Sequence, residues 1–489
     1  MGCYMGIDVG TGALKAVIID ETGEVCWSHQ VSYDTDAPMP GRAEQHPELW
    51  LKAYDEALYA ASKYSRIGDV RSIGFTGQMH TTVVTSRTLH ALRPAILWSD
   101  TRASDYGTEL RQTYGDRYLR RLTGNLPLSN FSLLRLLWIR DHEPDIYRQI
   151  EAVAVAKDWL RDVVTGTRFA DVTDASGTFL FDVPHRQWSG FWMQEMDIPT
   201  YWWGASVESA TIVGALCRAP NEMQGLPVAA GAGDQEASSV GTKLSLDGDQ
   251  IGVSLGTSGV VFWPRDTPQP ADHPSIHMFC YADPNYWHWM GVTQSAALSL
   301  QWYHETFFPG VPLATMLRDA ESSPVGARGL QFFPYLNGER APLNNPKAQG
   351  TFMGIRSDLG RSDMLRAVLE GVVYSLAHAW RMMSTPDASR VHEIVATGGG
   401  AQSTVWIQMI ADVFQLPVRV VNDPGAAVGA ALLGAQAIGE PCLPVSTSHP
   451  SAQIFIDPHA QSHYPDLADN YMSWAQALDK LWRSNPGTL

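Results

Sequence analysis

An α/β protein in two lobes is what this sequence predicts, and three observations carry that expectation. Two Gly-Thr turns, each between two apolar segments, stand near the starts of the two halves of the 489-residue chain: Gly10-Thr11-Gly12 and Gly256-Thr257-Ser258-Gly259. The segments around them echo one another, Asp8-Val9-Gly10-Thr11-Gly12 against Ser254-Leu255-Gly256-Thr257-Ser258. Strands alternate with helices along the chain, the pattern of layered α/β folds. The length suits two large domains or about three ordinary ones. The division is expected near 241–252, which gives lobes at 1–245 and 246–489. Turns of this kind are common, so duplication and an accidental echo both stay open.

The elements follow in order. Tyr4 to Val9 is an apolar run broken by Asp8, and Leu14 to Ile19 is a second, so the pair is expected as a hairpin with its tip open to a ligand. Leu49, Ala53, Ala57 and Ala60 recur near a 3.6-residue period and predict a helix over 45–62. Residues 70–76 read as a buried strand ending at Gly77. A second hairpin is expected from 251–255 and 260–263. Beyond it come a strand at 391–397, the turn Gly398-Gly399-Gly400, a helix at 403–414, a short strand at 418–421 and a small-residue helix at 425–437 suited to close packing on a sheet. The stretch from about Pro441 carries no usable motif.

Composition bounds the function. With 45% hydrophobic and 18% charged residues the chain can bury a core, which excludes a disordered or fibrous protein. Its net charge of −16 argues against non-specific binding to nucleic acid or anionic membrane. A phosphate compound would have to be held locally, by backbone amides and a metal ion. Cys3, Cys26, Cys217, Cys280 and Cys442 are scattered without a CxxC pair, so reduced, cytoplasmic thiols are expected rather than disulfides or zinc. No basic-then-apolar leader is seen, and no apolar run reaches the roughly 18 residues of a membrane span.

Several residues carry possible chemistry. Asp8 sits inside an apolar strand, where a carboxylate is costly without a partner. It either faces a cleft and holds Mg²⁺ beside phosphates, or caps turn amides. Thr11 and its glycines, with Gly256 and Thr257, could wrap phosphates with backbone N–H groups, or be ordinary turns. Neither turn matches a P-loop. Gly399 and Gly400 offer side-chain-free access for an adenosine at a helix N-terminus. Asp234 leaves a strand through glycines, as a general base accepting a hydroxyl proton or as a helix cap. Gln78, Met79 and His80 end one strand, and Trp98 and Asp100 end another. Directional polar groups with apolar walls suit a polyol; a loop histidine and a core aromatic are the plainer alternatives.

Taken together these residues resemble the FGGY carbohydrate kinase family over about Tyr4 to Gly439. The most specific stretch is Gly350-Thr351-Phe352-Met353-Gly354-Ile355 followed by Asp363-Met364-Leu365-Arg366-Ala367-Val368-Leu369-Glu370. Pro334-Tyr335-Leu336-Asn337-Gly338-Glu339-Arg340-Ala341-Pro342 and Ser132-Leu133-Leu134-Arg135-Leu136-Leu137-Trp138 are similar to further family segments, with Arg135 where lysine is usual. Gly77-Gln78-Met79-His80 and Thr173-Asp174-Ala175-Ser176-Gly177-Thr178 are most similar to the members that phosphorylate D-xylulose. Thr81, Trp159 and Pro424 depart from that pattern, and Thr81 is expected to narrow the space beside the sugar.

The resemblance implies two actin-like, ribonuclease H-like lobes hinged around a central catalytic cleft. It implies ATP and Mg²⁺ as cofactors and transfer of phosphate to a ketopentose, D-xylulose before another ketose or polyol such as ribulose. A catalytically silent actin-like protein is the competing class, disfavoured by the presence of Asp8 and Asp234. By resemblance Asp8 lies by the metal and Asp234 is the base. Thr11, Gly256 and Thr257 meet phosphates, Gly399 and Gly400 flank the adenosine, and Gln301 contacts the nucleotide. The expected partner is a small sugar, with no nucleic acid or membrane, and a homodimer stays open.

Overall fold

The computed structural model describes residues 2–39, 41–421, 425–440 and 453–484. Pro424 and residues 441–452, the first part of the motif-free stretch, lie outside them. The chain forms strands β1 (Cys3–Val9), β2 (Ala13–Asp20) and β3 (Val25–Ser32), an antiparallel meander. Helix α1 (Pro47–Ala61) follows, opened by a proline whose missing N–H is no loss in a first turn, and it buries Trp50, Ala53, Tyr54, Ala57 and Leu58. Strand β4 (Val70–Gly77) returns parallel to β1. Helices α2 (Ser132–His142), α3 (Ala156–Thr165) and the short α4 (Val172–Ser176) lie between it and strands β5 (Ile212–Ala215), β6 (Pro227–Ala229) and β7 (Ala232–Gly233). The sheet order is β5-β6-β4-β1-β2-β3, with β7 also paired to β4. Helix α5 (Asp234–Thr242) then leaves the end of β7.

The second half repeats the plan. Strands β8 (Gln250–Leu255) and β9 (Gly259–Arg265) form the expected hairpin; β10 (His277–Cys280) and β11 (Trp287–Thr293) extend it on the β9 side. Helix α6 (Ala297–Phe307) docks on the hairpin turn. The specific segment at 350–370 forms a short strand at Thr351–Met353 and the long helix α7 (Arg361–Met382), whose start is fixed by the Asp363 carboxylate accepting from Gly360 N–H at 2.9 Å. Strand β12 (Glu393–Thr397) lies parallel to β8, followed by helix α8 (Thr404–Phe414), strand β13 (Val418–Val420), helix α9 (Gly425–Ala437) and strand β14 (Gln453–Ile454). The order is β10-β11-β9-β8-β12-β13-β14. In both sheets the first strand of a half pairs antiparallel with its hairpin partner on one side and parallel with a later strand on the other. The echo of the two turns is therefore an echo of topology.

Two features differ from the sequence reading. Gly398-Gly399-Gly400 does not open α8 directly: a one-turn helix at Gly399–Gln402 intervenes, and Ser403 caps α8 by accepting from Trp406 N–H. Helix α9 belongs to the second half in sequence but packs on the sheet of the first. A Cβ on Gly6 would stand 1.7 Å from the Ala427 carbonyl oxygen, and one on Gly74 would stand 1.8 Å from that of Ala430. A Cβ on Gly429 would likewise meet the Ala237 carbonyl oxygen of α5 at 1.7 Å. Missing side chains on sheet and helix thus allow backbones to touch, joining the two halves through α5 and α9. Among the described residues no helix is long and apolar enough to cross a membrane.

Candidate active site

Strand β4 organises the site. Its end lies between β1 and β7, with Asp8 opposite Thr76 and Gly233 opposite Gly77. Asp8 and Asp234 therefore leave the same edge of the sheet on either side of β4, two strand spacings or roughly 10 Å apart in backbone. Asp234 is the first residue of α5, with Gly233 in the cap position, so it is not itself the cap. The strand that presents it is anchored from below. Gly233 N–H donates to Thr173 Oγ1 at 2.8 Å, and Asp171 caps the helix that carries Thr173. Asp171 and Asp174 are in turn held by the fully buried Lys157 ammonium, at 3.7 and 3.3 Å. Burial, and then the neighbouring Glu236 carboxylate, push Asp234 up to about 7. A carboxylate there can accept a proton near neutral pH. Glu236 is itself buried, raised to about 8, and meets His288 Nε2 at 2.6 Å.

The segments predicted to bind sugar come together beside Asp234. Met79 packs so closely that a Cβ on Gly233 would lie 2.9 Å from its Cγ. His80 has φ 65°, a left-handed backbone unusual for a non-glycine residue and frequent at functional sites. Its Nδ1 meets the Gly177 carbonyl at 2.9 Å, which fixes Nδ1 as the donor and leaves Nε2 an acceptor. Burial lowers its pKa to about 3, so the ring is neutral. Phe131 and Phe279 wall it at 5.3 and 5.8 Å between centroids. The Trp98 indole N–H donates to Thr11 Oγ1 at 3.0 Å, tying the sugar wall to the first Gly-Thr turn.

Other predicted contacts are placed differently. Asp100 does not face the cleft. It is 1% exposed, and its carboxylate accepts from Ala43 N–H, Arg102 N–H and the Arg102 guanidinium, which leaves nothing for a sugar; it anchors the loop behind Trp98. Gln78 is equally buried and acts as a brace, with Oε1 accepting from Thr81 Oγ1 at 3.1 Å and Nε2 donating to Gln45 Oε1 at 3.2 Å. Thr81 is fully buried, and its hydroxyl also accepts from Trp98 N–H at 3.3 Å. Its side chain bridges Gln78 and Trp98 inside the fold. Trp159 likewise lies in the core, donating to the Leu89 carbonyl.

On the other side of the cleft, the Thr257 carbonyl accepts from Ala296 and Leu298 N–H and the Gly256 carbonyl from Ala297 N–H, so the turn is clamped while the Thr257 side chain stays exposed. A Cβ on Gly399 would meet nothing within 4 Å, so its backbone faces open space. A Cβ on Gly400 would meet Leu255 and Trp406 at 2.8 and 2.9 Å, so Gly400 is required for packing against β8 and α8. Gln301 is exposed on α6 and donates to Glu305 at 2.8 Å. A cavity of about 40 Å³ lined by Gln235, Ser238, Ser254 and Thr397 lies between α5 and the second sheet. Among the described residues no cluster of three or more His, Cys, Asp or Glu could hold a metal alone. A single carboxylate near the strand end, Asp8, fits Mg²⁺, which keeps waters and takes its remaining oxygens from phosphates.

Sequence reasoning gave no role to two arginines, Arg135, which is fully buried, and Arg340, which is partly buried. Arg135 on α2 donates to the His80 and Leu97 carbonyls, bolting together the two segments that carry Met79, His80 and Trp98. Arg340 enters from the second half and lies over the Trp98 ring, 5.5 Å from its centroid. Both stand in segments similar to family patterns, but only their contacts show what they do.

Residues 3–241 match the N-terminal domain of the FGGY family of carbohydrate kinases, and residues 251–438 match its C-terminal domain. The xylulose kinase of Escherichia coli K12 is 38% identical over 467 residues, covering 92% of this chain and 95% of that one. That of Bacillus subtilis 168 is 33% identical over 442 residues, covering 89% and 88%. Among solved structures, a kinase of Brucella ovis named for xylulose superposes with a TM-score of 0.87 at 33% identity, covering 98% of this chain and all of that one.

Proposed function

This chain belongs to the FGGY family of carbohydrate kinases, and from that premise we propose that it transfers the γ-phosphoryl group of ATP to the 5-hydroxyl of D-xylulose. The observation that carries the reading is Asp234, held at the edge of the first sheet beside Met79 with its pKa raised to about 7. The sugar lies against Met79, His80 and Trp98. A hydroxyl can donate to His80 Nε2, and the 5-hydroxyl gives its proton to Asp234 as its oxygen attacks phosphorus. The 10–12 and 256–258 turns receive the phosphates through backbone N–H groups, and Gly399 leaves room for the adenosine. Asp8 is the carboxylate that would hold Mg²⁺, which supplies neutralisation of phosphate charge when bound. In phosphoryl transfer, placement and charge compensation outweigh the strength of the base. That accords with a site built mainly of buried braces.

The two xylulose kinase relatives, at 38% and 33% identity, favour D-xylulose over other ketoses and polyols. The test is coupled detection of ADP with ATP, Mg²⁺ and a panel of D-xylulose, D-ribulose, glycerol and gluconate. D-xylulose should give the highest kcat/KM. A preference for another acceptor refutes the xylulose assignment, and ADP release independent of every acceptor refutes the reading as a whole.

A further inference from the structure

We propose that Arg340 is a sugar-binding residue supplied by the second half of the chain, its guanidinium gripping the carbonyl end of the acceptor, opposite the hydroxyl that Asp234 deprotonates. This rests on the ketopentose kinase reading above. Among the described residues the Arg340 guanidinium has no ion-pair or hydrogen-bond partner, and its Nε is buried without one. The neighbouring carboxylate, that of Glu339, takes the backbone N–H groups of Gln294 and Arg340 on Oε1, at 2.7 and 2.8 Å, and makes no ion pair with the guanidinium. The contrast is Arg135, fully buried, whose Nε also lacks a partner but whose two terminal nitrogens both end on carbonyls.

Arg340 is held in place. Glu339 and Asn345 exchange two backbone hydrogen bonds, at 2.9 and 2.8 Å, and Ala341 N–H donates to the Val292 carbonyl at 3.0 Å. Burial lowers the guanidinium only to about 10, so it keeps its charge at neutral pH. That charge acts on His80 and His277, both kept neutral by burial. Buried donors without acceptors are costly, and a ligand rich in oxygen acceptors recovers that cost. The planar fork of an arginine suits adjacent oxygens, which a ketose presents as its 2-carbonyl and 1-hydroxyl. Arg340 lies over Trp98 with its charge on His80, so it meets the same sugar wall from the second half, while Asp234 adjoins Met79.

The experiment compares wild type, Arg340→Lys and Arg340→Met with D-xylulose and 1-deoxy-D-xylulose, which lacks the 1-hydroxyl. Wild type should prefer D-xylulose by about tenfold or more in kcat/KM, the scale of one hydrogen bond to a charged group. Arg340→Met should lose about 10- to 100-fold on D-xylulose, mostly through sugar KM, and should treat the two sugars nearly alike. Arg340→Lys should fall between, and the KM for ATP should stay within about twofold in both. Thermal melting checks folding, and if Arg340→Met does not fold, Arg340→Lys and Arg340→Gln carry the comparison. Equal losses on both sugars with discrimination kept, or a parallel rise in ATP KM, overturn the assignment. A wild type inactive on both sugars refutes the D-xylulose reading and the role of Arg340 with it, and is told apart by the absence of ADP before any variant is tested.

Discussion

The pH dependence of turnover tests Asp234 most directly. An ordinary aspartate titrates near 3.9 and would leave kcat/KM flat between pH 6 and 8. Here burial, helped by Glu236, raises Asp234 to about 7. The ionised base is then about one part in eleven at pH 6 and ten in eleven at pH 8, so kcat/KM should rise roughly tenfold across that interval. Glu236→Gln removes the neighbouring carboxylate and should move the midpoint to lower pH. Asp234→Asn should cost at least about 10² in kcat and abolish the limb. Stability should move the other way. The folded pKa lies above the unfolded one, so this group favours the fold fully below about pH 4, and that contribution is lost as pH rises towards 7. Asp234→Asn should therefore melt higher than wild type at pH 8 and nearly equally at pH 4. The assay is initial-rate ADP release under subsaturating sugar across the pH range, with melting curves in the same buffers. A flat wild-type profile from pH 6 to 8, or an Asp234→Asn variant with near-normal turnover, would remove Asp234 from the role of base.

Three further outcomes follow from the braces behind the site. Arg135→Met leaves the buried His80 and Leu97 carbonyls without their donor; at about 1–3 kcal/mol each it should lower the melting temperature and raise sugar KM with ATP KM unchanged, and Arg135→Lys should restore part of both. Thr81→Val keeps shape but removes the bridge between Gln78 and Trp98, so kinetics on D-xylulose and D-ribulose should show weakened discrimination; if Thr81 instead crowds the sugar, Thr81→Gly would sharpen the preference for xylulose. Gly74→Ala would drive a methyl into the Ala430 carbonyl, 1.8 Å from the built position, and should destabilise by about 1–3 kcal/mol or more in denaturant titration, whereas Gly12→Ala, with open space around it, should not.

Much of the fold could be read because its signals are local. The hairpins at 3–20 and 250–265 announce themselves through apolar runs around Gly-Thr turns, and α1 and α9 lie within two residues of their expected bounds. The target of α9 could not be read. Its glycines and alanines predict close packing, but only the matching absence of side chains at Gly6 and Gly74 selects the first sheet. The two positions are 68 residues apart in sequence, and each is more than 350 residues from the helix.

The site divides along the same line. Residue type singled out Asp8, Asp234, Met79, His80 and Trp98 as candidates, and the family resemblance, not residue type, gave them roles. Partnership decided the rest. Asp100 and Arg102 sit two apart in the chain and neutralise one another, so an apparent sugar acceptor becomes an anchor. Arg340 follows Glu339 directly, and adjacency would suggest the same pairing. There the carboxylate turns to backbone amides, and among the described residues the arginine makes no ion pair or hydrogen bond. Two similar acid–arginine spacings thus reach opposite ends: Asp100 takes two backbone amides and its arginine, Glu339 two backbone amides alone. A cation that its neighbouring carboxylate does not bind is what a ligand can use, and such a residue can be found only once the partners are seen in three dimensions.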